Sequence, residues 1–192
     1  MAATNKIGAK ICQLREAQKM SVEELAEKSQ SDVDQIRQIE AGDLVLSLAP
    51  LLEISQALGV PLDTLLGDEP VEGPVVFKSD QAPNIIRFLG KDTRATSSNL
   101  DFYSMGAGKI DRHMEPFIID VKARPDFASP LSAHEGEEFI FVLSGSIEIR
   151  YGETTYQLEP GESIYYDSNT PHDVHARGDR KARILAVVYA PS

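Results

Sequence analysis

Glu138 is the residue whose chemistry most needs a partner. It stands in the run Ser132-Ala133-His134-Glu135-Gly136-Glu137-Glu138-Phe139-Ile140-Phe141-Val142-Leu143-Ser144-Gly145. In a strand, positions two apart share a face, so Glu138 lines up with Ile140 and Val142 while Phe139, Phe141 and Leu143 take the other. Both faces are apolar, which predicts a strand buried between two sheets. A carboxylate there is costly unless it is paired, hydrogen-bonded or bound to a metal. His134, four residues earlier, shares that face unless Gly136 redirects one of them. A second histidine, His172, follows the turn-like Asp167-Ser168-Asn169-Thr170 and Pro171. No Ser-His-Asp or Cys-His arrangement stands out, and there is no Gly-rich phosphate loop. Cys12 is the single cysteine, so neither an intramolecular disulfide nor a Cys-based zinc finger can form.

The elements that must position these groups change character once along the chain. Before about residue 66 the apolar spacing is helical: Ile7, Ile11 and Leu14, then Leu25, Ile36 and Ile39, then Leu51, Leu52, Ile54 and Leu58. Ser21 with Glu24 makes a capping box. Asp32 can cap a helix from Val33 to Glu40, with Gly42 to end it. Ser47 can cap a fourth helix that Gly59 ends, and Pro61 opens a last short turn. Five short helices make a compact all-α module. After about residue 75 the runs are strand-like: Val75 to Phe77, Phe117 to Ile119, Phe139 to Leu143, Ile147 to Tyr151 and Ile184 to Tyr189. Residues 68–74, rich in Pro, Gly and acids, read as a linker between domains at 6–67 and 75–192.

Charge narrows the function classes. The 192 residues carry 19 Lys plus Arg against 30 Asp plus Glu, a formal net charge of −11. Residues 1–67 hold 6 basic and 10 acidic side chains, and the remainder 13 and 20. Neither half binds nucleic acid or an anionic membrane by bulk charge. The first 30 residues lack a long apolar run, which argues against a signal peptide or membrane span and fits a cytoplasmic protein.

Leu25-Ala26-Glu27-Lys28 and Ile36-Arg37-Gln38-Ile39-Glu40-Ala41-Gly42 resemble the XRE family, the phage-repressor type of helix-turn-helix. Ile7-Gly8, Leu14-Arg15 and Ala57-Leu58-Gly59-Val60-Pro61 extend that resemblance over residues 6–67. It implies that Val33 to Glu40 is the recognition helix, with Val33, Asp34, Gln35, Arg37 and Gln38 outward toward the major groove of double-stranded DNA. Gln can pair bidentately with adenine, and Arg reaches guanine or a phosphate. Glu40 reads as a structural anchor rather than a DNA contact. Two departures stand at the tight turn before this helix, where Gln30 replaces the usual Gly and Ser31 the usual small apolar residue. Asp32 and Asp34 also set carboxylates where phosphates approach.

His134, Glu138 and Gly145, followed by Pro160-Gly161-Glu162-Ser163 and His172, resemble the two motifs of the cupin superfamily. That implies a jelly-roll barrel, so the expected fold class is a multi-domain α + β chain: a small all-α helix-turn-helix domain, then an all-β cupin barrel. The resemblance implies His134, Glu138 and His172 as metal ligands. Ser132 stands where many metal cupins carry a further His, so three protein ligands remain. Two His and one carboxylate leave open positions on Fe(II) and can also hold Zn or Mn. The bland alternative is a hydrogen-bonded polar cluster. His175 and His113 are placed outside the ligand set. Phe102, Tyr103, Phe141, Tyr151, Tyr165 and Tyr166 alternate on predicted strands as core residues. Tyr103, Phe141 and Tyr151 are the candidates for a ligand pocket.

An XRE module before one cupin domain resembles cytoplasmic bacterial regulators. The implied reading is a DNA-binding transcriptional regulator, a homodimer or higher homo-oligomer, controlled by a small-molecule effector. It would read a pseudo-palindromic operator with half-sites roughly 34 Å apart. The alternative is a mononuclear non-haem iron enzyme, since the layout and His134-x-Gly136-x-Glu138-Phe139 are also similar to the hydroxypropylphosphonate epoxidases. In that group a helical Lys reaches the site, matching Lys19, and a pocket Tyr is replaced here by Met105.

Overall fold

The computed structural model describes residues 3–43, 48–66, 72–78, 85–87, 100–109, 112–123 and 131–189. The helical part contains α1 (Ala3–Ala17), α2 (Val22–Lys28), α3 (Val33–Ala41), α4 (Leu48–Ala57) and α5 (Leu62–Leu66). Local punctuation sets these boundaries. Ser21 Oγ accepts from the Glu24 amide at 3.0 Å, and Glu24 Oε2 accepts from the Ser21 amide at 2.7 Å, which starts α2. Asp32 Oδ1 accepts from the Asp34 amide at 2.8 Å and starts α3. Gly42 ends α3 in the left-handed region, at φ 79°. Ser47, the expected cap of α4, lies outside the described residues.

Ile11, Leu25, Ile36, Leu51, Ile54 and Leu65 are fully buried and form the centre of this part. α1 and α3 pack closely at Gly8, where an added Cβ would stand 1.9 Å from the Ile39 carbonyl oxygen. Arg15 of α1 makes a bidentate pair with Glu40 of α3, at 2.6 and 2.8 Å, and also donates to the Met20 carbonyl at 2.9 Å. The anchor role expected for Glu40 is thus observed. Gln30 takes a left-handed φ of 51° at the turn before α3, a conformation that costs a non-Gly residue about 1–2 kcal/mol.

Nine strands follow: β1 (Ile85–Arg87), β2 (Leu100–Ser104), β3 (Met114–Val121), β4 (Glu137–Ser144), β5 (Ile147–Tyr151), β6 (Thr154–Leu158), β7 (Ser163–Asp167), β8 (His172–Ala176) and β9 (Ala182–Tyr189). They form a six-stranded antiparallel sheet, β1-β2-β3-β9-β4-β7, and a three-stranded one, β6-β5-β8. Alternation sends Phe102, Phe117, Ile119, Ile140, Val142, Ile184 and Ala186 inward, where Ile147, Ile149 and Ala176 of the smaller sheet are also buried. The fold class is as expected, helices first and then a two-sheet barrel.

Two expectations change. Val75 to Phe77 is not a strand: it pairs with no strand among the described residues, and Val76 is 74% exposed. A three-residue apolar run acquires strand structure only from a neighbour to pair with. β4 is also not buried on both faces. Its inward face is buried, but Leu143 on the outer face is 43% exposed.

Candidate functional site

β4 presents Glu138 inward, directly opposite Tyr166 of β7 and Val188 of β9. β8 presents His172 from the other sheet, opposite Tyr151 of β5. His134 precedes β4, held by its amide donating to the Ser168 carbonyl at 3.0 Å. Between them Gly136 takes φ 116°, a turn open to glycine, and brings the imidazole back onto the strand's carboxylate. His134 Nε2 lies 2.7 Å from Glu138 Oε1, and His172 Nε2 lies 3.5 Å from the same oxygen. All three side chains are buried, and one ligand atom from each falls within 4.8 Å of the others.

The ring nitrogens show what this cluster accommodates. His134 Nδ1 is 3.1 Å from the Glu135 carbonyl and His172 Nδ1 is 2.9 Å from the Thr170 carbonyl. A carbonyl only accepts, so both Nδ1 atoms carry hydrogen. In the neutral tautomers both Nε2 lone pairs then aim at a carboxylate oxygen, acceptor against acceptor. A cation between them, a proton or a metal ion, resolves that conflict. Backbone fixation of Nδ1 is the usual support of a metal-binding histidine. The donor set therefore fits a divalent metal.

Tyr166 completes the arrangement. Its hydroxyl donates to Glu138 Oε2 at 2.6 Å, and its ring stands 5.1 Å from that of His172 and 5.3 Å from that of Tyr151. Burial opposes the charge on Glu138, but the two imidazoles and Tyr166 outweigh it and hold the carboxyl down at about 2. Burial likewise opposes protonation of His172, and the contact with Glu138 reverses this and raises its pKa. Burial and the facing carboxylate both raise the Tyr166 hydroxyl. Ser168 is fully buried and its hydroxyl has no partner among the described residues. On α4, burial pushes the Glu53 carboxyl up and the charge of nearby His134 opposes this.

Of the pocket candidates, Tyr151 shares the inward face with His172. Tyr103 and Phe141 are corrected to the outer face. Tyr103 lies opposite Ile118 and Phe141 opposite Leu185 and Ser163, one residue out of step with Phe102 and Ile140. Alternation alone puts Phe141 opposite Glu138's face. His175 is also turned away, contacting Glu148 and Asp173 at 3.3 Å each. His113 is exposed. Lys19 is exposed after α1 with no contact to the triad among the described residues. Sequence reasoning placed Tyr166 in the core and Ser168 in a turn without joining either to the site, and it did not single out Glu53. For Tyr166 the available signal was a strand position of the same parity as a carboxylate's partner.

α3 offers the other candidate surface. Asp34, Arg37 and Gln38 are exposed, and Gln35 is half-buried. Val33 is partly buried and packs against the core, so it presents less to a groove than its spacing implied. Arg37 is not a free cation: it contacts Glu23 at 2.8 Å and Asp34 at 3.2 Å.

Comparisons with known proteins agree with this architecture. The family model described as Helix-turn-helix matches residues 13–65, and that described as Cupin domain matches residues 120–188. A helix-turn-helix-family transcriptional regulator from Vibrio cholerae superposes with a TM-score of 0.69, covering 98% of this chain and 97% of its own, at 20% identity. FeII HppE in complex with substrate superposes with a TM-score of 0.52, covering 98% of this chain and all of its own, at 25% identity. (S)-2-hydroxypropylphosphonic acid epoxidase of Streptomyces wedmorensis is 28% identical over 160 residues, which span 77% of this chain and 76% of that protein. No described helix is long and apolar enough to cross a membrane. The chain is thus a helix-turn-helix domain followed by a cupin domain, with a His-Glu-His cluster inside the barrel.

Proposed function

We propose that this chain is a DNA-binding transcriptional regulator whose cupin domain binds a small-molecule effector at a divalent-metal centre. The observation that carries the DNA-binding half is α3: Ile36 and Ile39 are buried, both ends are capped, and Gln38 is exposed beside Arg37. That is the geometry of a recognition helix, and the likeness in fold to a solved regulator supports it. His134, Glu138 and His172 are the ligands of the centre in this reading, and Tyr151 borders the effector. The domains divide at residues 68–74. A two-fold dimer would set two copies of α3 into successive major grooves of a pseudo-palindrome. Effector control then requires different affinity for two dimer geometries.

The test is selection of the full chain on random double-stranded DNA, with and without added Fe(II), Zn(II) or Mn(II). An enriched pseudo-palindrome supports the regulator. No enriched sequence at low salt overturns it.

The epoxidase relative favours a second reading, a mononuclear non-haem iron enzyme using the same triad. When bound, iron would supply open coordination positions for substrate and oxygen. Met105, in place of a pocket Tyr, argues against the epoxidase's own substrate. About one iron per purified chain together with oxygen-dependent turnover of a small substrate would establish this reading over the regulator.

A further inference from the structure

We infer that Tyr166 is a positioning residue that holds Glu138 to one-oxygen ligation and so keeps positions on the metal open for a ligand. This rests on the metal-centre reading. The two carboxylate oxygens of Glu138 have different surroundings. Oε1 faces both imidazole Nε2 atoms, at 2.7 and 3.5 Å. Oε2 faces away from them and accepts the Tyr166 hydroxyl at 2.6 Å. A metal seated among the three ligand atoms therefore meets Oε1, while Oε2 is already occupied.

The hydroxyl cannot easily move. β7 pairs Tyr166 directly with Glu138. The ring is buried and stands between those of Tyr151 and His172. Tyr151 is fixed in turn, its hydroxyl donating to the Asp167 carbonyl at 3.0 Å. Its hydroxyl is aimed at Glu138 Oε2, so it acts as a hydrogen-bond donor to the carboxylate and not as a fourth ligand. Neighbouring Tyr165 cannot substitute, because it is exposed on the outer face and bonds Glu137. Without the phenol hydrogen bond, Oε2 is free to turn toward the metal. Two-oxygen ligation would then fill one of the positions that the three-ligand set leaves open.

The experiment loads the full chain with Co(II) and uses azide as the probe of open positions, for wild type, Tyr166→Phe and Tyr151→Phe. Infrared difference spectra between loaded and metal-free protein report the separation of the carboxylate stretches, wide for one-oxygen and narrow for two-oxygen ligation. The expected result is a wide separation in wild type and Tyr151→Phe, a narrow one in Tyr166→Phe, and azide binding weakened about tenfold in Tyr166→Phe alone. A Tyr166→Phe protein with wild-type infrared bands and azide affinity overturns the inference while leaving the metal centre intact. Wild type that takes up no Co(II) overturns the metal centre itself. Should Tyr166→Phe not fold, the wild-type spectrum still decides, because a narrow separation there refutes one-oxygen ligation.

Discussion

Arg15 and Glu40 lie 25 residues apart in sequence and meet in a two-point contact, Nε to Oε1 at 2.6 Å and Nη2 to Oε2 at 2.8 Å. The pair ties α1 to the end of α3, and its side chains are only 11% and 10% exposed. Removing one partner strands the other charge in a poorly solvated place. Glu40→Ala is therefore expected to destabilise the helical part by roughly 3 kcal/mol, the low end for a buried pair. Hydrogen exchange checks this: residues 3–43 should lose protection while residues 131–189 keep theirs. A variant with unchanged exchange but lost DNA selectivity would instead make Glu40 a base contact.

Gln30 gives an opposite, stabilising prediction. Its φ of 51° puts a Cβ in the left-handed region. Gln30→Gly relieves about 1–2 kcal/mol of strain, and glycine's larger loss of backbone freedom on folding returns about 0.5–1 kcal/mol of that. The net expectation is stabilisation by up to about 1.5 kcal/mol, measured by urea denaturation at unchanged slope. A loss of stability would mean that the Gln30 side chain contributes a contact of its own.

Much of this was legible from local chemistry. The Ser21–Glu24 box and the Asp32 and Gly42 caps involve residues within a few positions of one another. The spacing of His134 and Glu138 is similarly local. Phe141 was legible too, since two-residue alternation already put it opposite Glu138's face. Tyr103, Tyr166 and Glu53 were not. Whether Tyr165 or Tyr166 faces inward depends on the β4–β7 register, which pairs Tyr166 with Glu138, 28 residues away. Glu53, on α4, lies within electrostatic range of His134, 81 residues away in sequence, which no periodicity records.

Gln38 and Glu23 probe the DNA surface from two sides. Gln38 is exposed on α3, and a good bidentate base contact is worth about 1–3 kcal/mol of discrimination. Gln38→Ala should relax preference at one base pair of the selected site. Glu23 holds Arg37 at 2.8 Å and adds negative charge beside the helix. An exposed pair is worth at most about 1 kcal/mol, so Glu23→Gln should change stability by no more than that and raise DNA affinity by removing one of Arg37's two acidic contacts. Fluorescence anisotropy at two salt concentrations measures both. Unchanged affinity in Glu23→Gln would place Arg37 outside the DNA contact.

The metal-free triad carries a defined pH dependence. Glu138 has a depressed pKa, so its stabilisation is present above the ordinary carboxylate value of 4.5 and is lost as pH falls through about 2. His172 has a raised pKa, so its stabilisation is complete below its ordinary value of 6.5 and is lost as pH rises through the folded value. The Glu138–His172 contact thus stabilises the metal-free barrel most between those two ordinary values. Thermal denaturation in chelator should show the gap between wild type and Glu138→Gln narrowing as pH rises above the His172 transition. Metal uptake runs the other way, because a ligating imidazole must be neutral, so apparent affinity climbs through the same range with release of a proton. A gap that stays constant from pH 5 to pH 9 would show that His172 does not change protonation over that range in the metal-free protein.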